Sequence, residues 1–363
     1  MRAPSRTATI AAVTCALGLT LAGCSSGGED PSGLSGPLPG AGASSQEIAM
    51  TAWLAGMNDL HPGVLVSYDP VGSGTGREMF LNEATAFAGS DAAMSADELE
   101  KGRERCYGGE VVELPLYISP IAVAYNLPGL GAEHLNLQPE TLAGIFNGDI
   151  TTWNDPAIAE TNPDVALPGT AIVPVNRSDD SGTTENFTEY LAEAAGDAWP
   201  HEASETWPIS GTQSGTQTSG VVTTMQAAEG TIGYVDAAQV PDDLGTVAVG
   251  VGDEFVPFSP EAAAAVVDAS PAAEDATDLR LTIDLARDTS ESGTYPIVLI
   301  SYTIACSVYE SAQDAENVRA LLTYIASEDG QERVADPRVA GSAPISDDLR
   351  SRVMAAVDQI RAA

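Results

Sequence analysis

The sequence predicts an α/β protein, and three observations carry that prediction. Short apolar, strand-like runs alternate with helix-like stretches along most of the chain, the pattern of domains built on mainly parallel sheets. Two of the strands enter helices through small polar turns, Val71-Gly72-Ser73-Gly74-Thr75-Gly76 and Arg177-Ser178-Asp179-Asp180-Ser181-Gly182-Thr183-Thr184. Long apolar runs at 111–125 and 295–304 bracket a central segment, as expected of two domains joined by crossover strands.

The chain opens with Met1, Arg2 and Arg6, then an apolar run from Ala8 to Ala22 that ends Leu21-Ala22-Gly23-Cys24. A positive start, a short apolar core and small residues before a cut describe a secretory signal over 1–23. The run is too short to span a bilayer. Leu-Ala-Gly-Cys resembles the bacterial lipobox, which makes Cys24 the expected lipidated first residue; the alternative is a plain leader with an incidental cysteine. Residues 24–40 are rich in Ser, Gly and Pro and are expected to form a flexible tether outside the fold.

The remainder is long enough for two domains with substantial cores. The formal net charge of the 363 residues is −37, with 52 acids against 15 Lys and Arg. Such a surface repels nucleic acid and anionic headgroups, so no nucleic-acid partner is expected, and a lipid would be the only membrane anchor. With Cys15 in the leader and Cys24 lipidated, Cys106 and Cys306 remain, in a compartment where disulfides persist. A bond between them is the favoured reading and two buried thiols the alternative.

Taken in order, Ser44 to Glu47 reads as a capping box before a helix with Ala49, Trp53, Met57 and Leu60 on one face, ending near His61-Pro62. Residues 64–68 read as a strand, then the Gly72–Gly76 turn, then a short helix over 77–82. The glycine spacing does not match the dinucleotide fingerprint. Phe87 to Asp91 is a small-residue strand end with one acid, and Ser95 to Glu98 a second capping box, opening a helix to Arg105. Strands follow at 111–118 and 120–125, and the turn at 126–129 marks a crossover, which places 41–125 plus 296–363 in one domain and 126–295 in the other. A helix over 138–146 stops at Asn147-Gly148, and Trp153 is expected to pack in the core. A strand at 171–175 leads into the Arg177 turn and a helix from 185. Residues 210–220 read as a low-complexity polar loop before a helix over 221–228, and 230–235 as a strand. Residues 260–290 carry no clear pattern. A strand over 295–304 and helices near 311–326 and 346–361 complete the chain.

Three stretches share one chemistry: Ser44 and Ser45, Gly72-Ser73, and Arg177 through Thr183. Each stands at an expected helix N-terminus, where free backbone N–H groups and hydroxyls make an anion site. Arg177 adds a forked cation suited to phosphate or carboxylate. Alone, each reads equally well as an ordinary capped helix start. Local dipoles and one arginine can hold an anion on an acidic protein, because the distant charges are screened.

The set resembles the substrate-binding lipoprotein of the bacterial phosphate-specific ABC importer. The resemblance rests on residues 40–44, 72–76 and 89–91, the Thr141–Asn154 run with Phe146-Asn147-Gly148 and Ile150-Thr151-Thr152-Trp153, residues 177–183, and Gly233-Tyr234. It implies a two-domain fold of the periplasmic-binding-protein type II class with the ligand in the cleft between domains. It implies phosphate ligands at Ser44 and Ser45, the latter by its amide, at Ser73, at Asp91, at Arg177 held by Asp179, and at Ser181, Gly182 and Thr183. Asp91 would accept a hydrogen bond from the phosphate's own proton, which sulfate lacks at neutral pH. It also implies hinge closure, delivery to permease subunits, a monomer, no cofactor, no metal and no catalysis. Two positions depart from the family's pattern: Ser45-Gln46-Glu47-Ile48 stands where an aromatic-Pro run is usual, and Asp180 where Gly is common.

An enzyme reading, with Ser181 or Thr183 as nucleophile, lacks a base. His61, His134 and His201 fall in loops without metal-ligand spacing. A receptor for another tetrahedral oxyanion, or a phosphate sensor or surface protein on the same fold, is the alternative function.

Overall fold

The computed structural model describes residues 33–363; the leader, Cys24 and the chain up to residue 32 lie outside the described residues. The elements run β1 (Gly36–Gly42), α1 (Glu47–Leu60), β2 (Val64–Asp69), α2 (Ser73–Leu81), β3 (Phe87–Ser90), α3 (Ala96–Arg105), β4 (Val111–Tyr125), β5 (His134–Leu137), α4 (Pro139–Asn147), α5 (Pro156–Thr161), β6 (Val173–Arg177), α6 (Gly182–Ala194), β7 (Gln213–Gly215) and α7 (Gln217–Gln226). They continue β8 (Thr231–Asp236), β9 (Gly245–Val251), β10 (Glu254–Pro257), α8 (Pro260–Ala269), β11 (Val298–Cys306), β12 (Val308–Tyr309), α9 (Ala312–Ala326), α10 (Glu328–Ala335), α11 (Asp347–Val357) and β13 (Arg361–Ala362).

One sheet runs β2-β1-β3-β11-β4-β8-β6-β7, with β9 joined to β4 and carrying β5 and β10. At one end β1 is parallel to β2 and β3; at the other β6 is parallel to β8 and β7. The antiparallel pairs lie between, where β11 meets β3 and β4, and β4 meets β8. The fold is α/β, as predicted.

The strand β4 is a single element of 15 residues, all buried, where two runs were expected. Pro115 and Pro120 lack the N–H that a ladder needs. The register with β11 slips between Ser301 and Tyr302, opposite Pro115 to Tyr117, so that the ladder passes one proline at an irregularity. Up to Pro120 the strand pairs β11, and from Ile121 it pairs β8, which is where the sheet changes hands.

The expected tether over 24–40 is corrected at its end, because Gly36–Gly42 is β1, an inner strand between β2 and β3. Its glycines make this possible: a Cβ on Gly40 would lie 2.1 Å from the ring of Phe87. The helix α2 starts at Ser73 rather than near Arg77, since Gly76 lets it approach β1, its absent Cβ falling 2.3 Å from Gly42 Cα. The capping box at Ser95 forms as predicted, with Ser95 Oγ accepting from the Glu98 amide and Glu98 Oε2 from the Ser95 amide. The one at Ser44 does not, because Gln46 is the cap residue of α1 and makes no side-chain capping bond. The helices α8 and α10 and the strands β5, β9 and β10 were not anticipated.

Cys106, after α3, and Cys306, at the end of β11, form a disulfide with Cα atoms 5.1 Å apart. Closing 200 residues of sequence stabilises the fold by up to roughly 5 kcal/mol in the chain-entropy view. Trp153 is fully buried, tilted against Tyr125, and donates to the Gly230 carbonyl at 3.1 Å. Among the described residues no helix is long and apolar enough to cross a membrane.

Candidate functional site

The residues singled out from the sequence converge at the carboxyl ends of β1, β3 and β6, where the following helices begin. Ser44 and Ser45 follow β1, Ser73 opens α2, Asp91 follows β3, and Arg177 ends β6 ahead of α6. All are buried. Ends of parallel strands are where α/β sheets place ligand sites, because helix N-termini point there.

Asp91 is held by hydroxyls. Ser45 Oγ donates to both its carboxylate oxygens, at 2.8 and 2.9 Å, and Thr183 Oγ1 donates to Oδ2 at 3.0 Å. Its amide donates to Ser73 Oγ at 3.1 Å, and its carbonyl accepts from Asn186 Nδ2 on α6. Burial pushes the carboxyl above the usual range; the Ser301, Ser45 and Thr183 hydroxyls and the charge of Arg177 work the other way. The Ser301 hydroxyl, buried on β11, acts here by proximity and makes no hydrogen bond of good geometry.

Asp179 is held by charge. Arg177 donates from Nε to Oδ1 at 2.8 Å and from Nη2 to Oδ2 at 2.5 Å, a forked pairing of high specificity. Burial alone would raise this carboxyl. The Arg177 bonds and charge, with the Gln217 amide at 3.0 Å, overcome it and hold the group below the usual range. Among the described residues, Arg177 Nη1 has no hydrogen-bond partner.

An aromatic stack supports the Arg177 turn. Tyr234, on β8, lies against Phe187 with ring centroids 4.4 Å apart, and Trp207 and Phe146 close the group. Its buried hydroxyl accepts from the Arg177 amide at 3.2 Å and lies 2.8 Å from Thr184 Oγ1, fixing the first turn of α6. Ser181 caps that helix, its Oγ accepting from the Thr184 amide. Gly182, the first residue of that helix, packs against Ser73 and Asp91. The fit is close: a Cβ on Gly182 would lie 2.7 Å from both Asp91 Cβ and Ser73 Oγ.

Two further contacts join the same sides. Arg77, on α2, pairs with both oxygens of Glu205 at 2.9 and 2.7 Å, and the Glu205 carbonyl accepts from the Ser181 amide. Ser44 Oγ accepts from the Thr218 amide at 3.2 Å and lies 3.1 Å from Thr218 Oγ1, while Gln239 Nε2 donates to the Ser44 carbonyl at 2.7 Å. This explains the missing capping box at Ser44: its hydroxyl and that of Ser45 are drawn away from α1 into the site.

Thr218, Gln217, Gln239, Asn186 and Tyr234's hydroxyl role were not identified as site residues from the sequence. Residues 210–220, expected as a loop, contain β7 and the first turn of α7, which starts at Gln217 rather than Val221. His134 and His201 lie apart, bonded to Thr246 and Asn147.

The family described as PBP superfamily domain matches residues 27–329 of this chain. Phosphate-binding protein PstS 3 of Mycobacterium tuberculosis is 34% identical over 326 residues, covering 89% of this chain and 86% of the relative. Phosphate-binding protein PstS 2 of the same organism is 34% identical over 328 residues, covering 89% and 87%. Among solved structures, a high-affinity periplasmic phosphate-binding protein, PfluDING, bound with phosphate, superposes with a TM-score of 0.71 at 24% identity, covering 88% of this chain and 93% of its own. A phosphate-binding protein from Stenotrophomonas maltophilia gives 0.68 at 22%, covering 88% and 94%. The two solved structures show a shared fold, and the relatives show the family. The chain belongs to the PBP superfamily and, within it, to the PstS phosphate-binding proteins.

Proposed function

We propose that this protein captures inorganic phosphate outside the cytoplasm and delivers it to the permease subunits of an ABC importer, as a receptor that performs no chemistry. The observation that carries this reading is the pairing of opposites across the site: a buried, Asp179-braced Arg177 on one side and a hydroxyl-held Asp91 on the other. Arg177 supplies attraction to an anion. Asp91 repels any anion that does not bring a proton to share, and phosphate brings one.

The proposed ligands are the Ser44 hydroxyl and amide, the Ser45 amide, Ser73, Asp91, Arg177, and the Ser181-Gly182-Thr183 start of α6. Charge-assisted hydrogen bonds are worth roughly 1.5–3 kcal/mol each. Several together support a micromolar or tighter site, about −8 kcal/mol or better, after the costs of association. Two domains, 41–125 with 296–363 and 126–295, would close on the ligand by hinge motion. The cross-site contacts Ser44–Thr218, Arg77–Glu205 and Thr183–Asp91 would form at closure. Lipidation at Cys24 would tether the monomer to the outer face of the cell membrane.

Calorimetric titration of the purified protein with phosphate tests the reading. A dissociation constant of about 1 μM or lower is expected; absence of binding at millimolar phosphate would overturn it.

A further inference from the structure

The short stretch Thr216–Thr218, from the cap of α7 into its first turn, reaches both sides of the proposed site. Gln217 has φ of +61°, a left-handed conformation that a side-chain-bearing residue rarely takes and that usually persists where the surroundings enforce it. Its amide is fixed on Asp179 Oδ1, the oxygen that also receives Arg177 Nε. Thr216 Oγ1 lies 3.0 Å from Ser178 Oγ, beside the same arginine.

Thr218 comes next, 1% exposed, and its two polar groups meet a single atom. Its amide donates to Ser44 Oγ at 3.2 Å, and its Oγ1 lies 3.1 Å from that same oxygen. A hydroxyl has two acceptor sites and one proton. If the Thr218 hydroxyl donates as well as the amide, both acceptor sites on Ser44 are filled. The Ser44 proton is then the one remaining capacity of that group. The opposite arrangement would leave Thr218's own proton buried without an acceptor, since among the described residues Thr218 Oγ1 has no other partner, and that is costly.

We propose that Thr218 is a positioning residue of the anion site: it saturates the lone pairs of Ser44 and so directs the Ser44 proton to the bound phosphate. The inference rests on the reading of Ser44 as a phosphate ligand. The α7 N-terminus behind Thr218, on a ten-residue helix, reinforces the polarity of that hydroxyl in the same sense. The contact also couples capture to closure. Ser44 follows β1, Thr218 opens α7, and 174 residues of sequence separate them, so the Ser44 hydroxyl is set only when the two stretches meet.

The test is calorimetric titration with inorganic phosphate of wild type, Thr218→Val, Thr218→Ser, Ser44→Ala and the Ser44→Ala/Thr218→Val double variant. Thr218→Val keeps the shape and removes the hydroxyl, and an affinity loss of about 10-fold or more is expected. Thr218→Ser restores the hydroxyl and should return affinity to within about 2-fold of wild type. In the Ser44→Ala background, Thr218→Val should add less than about 2-fold, because its route to the ligand is gone. Wild-type affinity in Thr218→Val, failure of Thr218→Ser to rescue, or an undiminished loss on the Ser44→Ala background would each overturn the proposal. Wild-type affinity in Ser44→Ala would overturn the assignment of Ser44 on which it rests, a separate failure.

Discussion

Asp91 and Asp179 are the same residue type in the proposed site, the first buried and the second half-buried, and they are held in opposite ways. Asp179 receives a guanidinium through two bonds, and its carboxyl is held below the ordinary range against the pull of burial. Asp91 receives only hydroxyls, and burial pushes its carboxyl up. A carboxylate with a committed cation has nothing left to ask of a ligand. A carboxylate with only hydroxyl donors in a dry site gains from one more donor, which a protonated oxyanion supplies. In the proposed role, the first side of the site orients the attraction and the second sets the terms of entry.

The largest break in this comparison is removal of the cation. Arg177→Ala leaves the half-buried Asp179 without its partner and the α6 start as the main positive feature. Loss of a buried, hydrogen-bonded charge costs about 3–5 kcal/mol, so phosphate affinity should fall by about 1,000-fold, read by calorimetric titration. Affinity within 10-fold of wild type would remove Arg177 from the site.

Spacing comes next. Gly182 is a point of close approach between the two sides, where an added Cβ would lie 2.7 Å from Asp91 Cβ and from Ser73 Oγ. Gly182→Ala should hold the sides apart and weaken phosphate binding by about 100-fold, chiefly through faster release in stopped-flow dissociation. An unchanged release rate would show that the contact yields without cost.

Another buried carboxylate sharpens the comparison further. Asp236, at the end of β8, accepts from the Tyr117 hydroxyl at 3.1 Å and the Ala238 amide at 3.0 Å, and pairs with no cation among the described residues. Burial pushes it up to about 7, and the charge of Asp91 adds to the rise. Because the folded value lies above the unfolded one, its contribution to stability is full below about pH 4 and is lost as pH rises through about 7. Asp236→Asn should flatten the fall of the thermal midpoint across that window by several degrees relative to wild type. Parallel curves for the two proteins would show that Asp236 titrates normally.

Much of this was legible in sequence, for reasons that differ by element. The strands β4 and β11 announce themselves as mainly apolar runs, since they are buried throughout. The site turns are legible because hydroxyls, glycines and Arg177 lie in contiguous stretches that a helix N-terminus gathers locally. The strand β1 is not, because Gly-Pro-Leu-Pro-Gly-Ala-Gly has the composition of a linker. Only the Phe87 ring seated over Gly40 gives those glycines their purpose, and that is a tertiary fact. The helix α10 is mostly polar, and β5 and β10, of four residues each, are too short to be told from loops. Thr218 lay in a repetitive Ser/Gly/Thr/Gln stretch, and its partner Ser44 is 174 residues away, so nothing local singled it out.

The contrast between Asp91 and Asp179 is tested most directly by the ratio of phosphate to sulfate affinity at neutral pH, in wild type and in Asp91→Asn. The arrangement predicts a wild-type preference for phosphate of about 10⁴ or more, because sulfate would leave a buried acceptor facing an anion without a proton. In Asp91→Asn the amide can donate, and the preference should shrink by at least about 100-fold, mainly by a gain in sulfate binding. Equal affinity for the two anions in wild type, or an unchanged ratio in Asp91→Asn, would contradict the role given to Asp91.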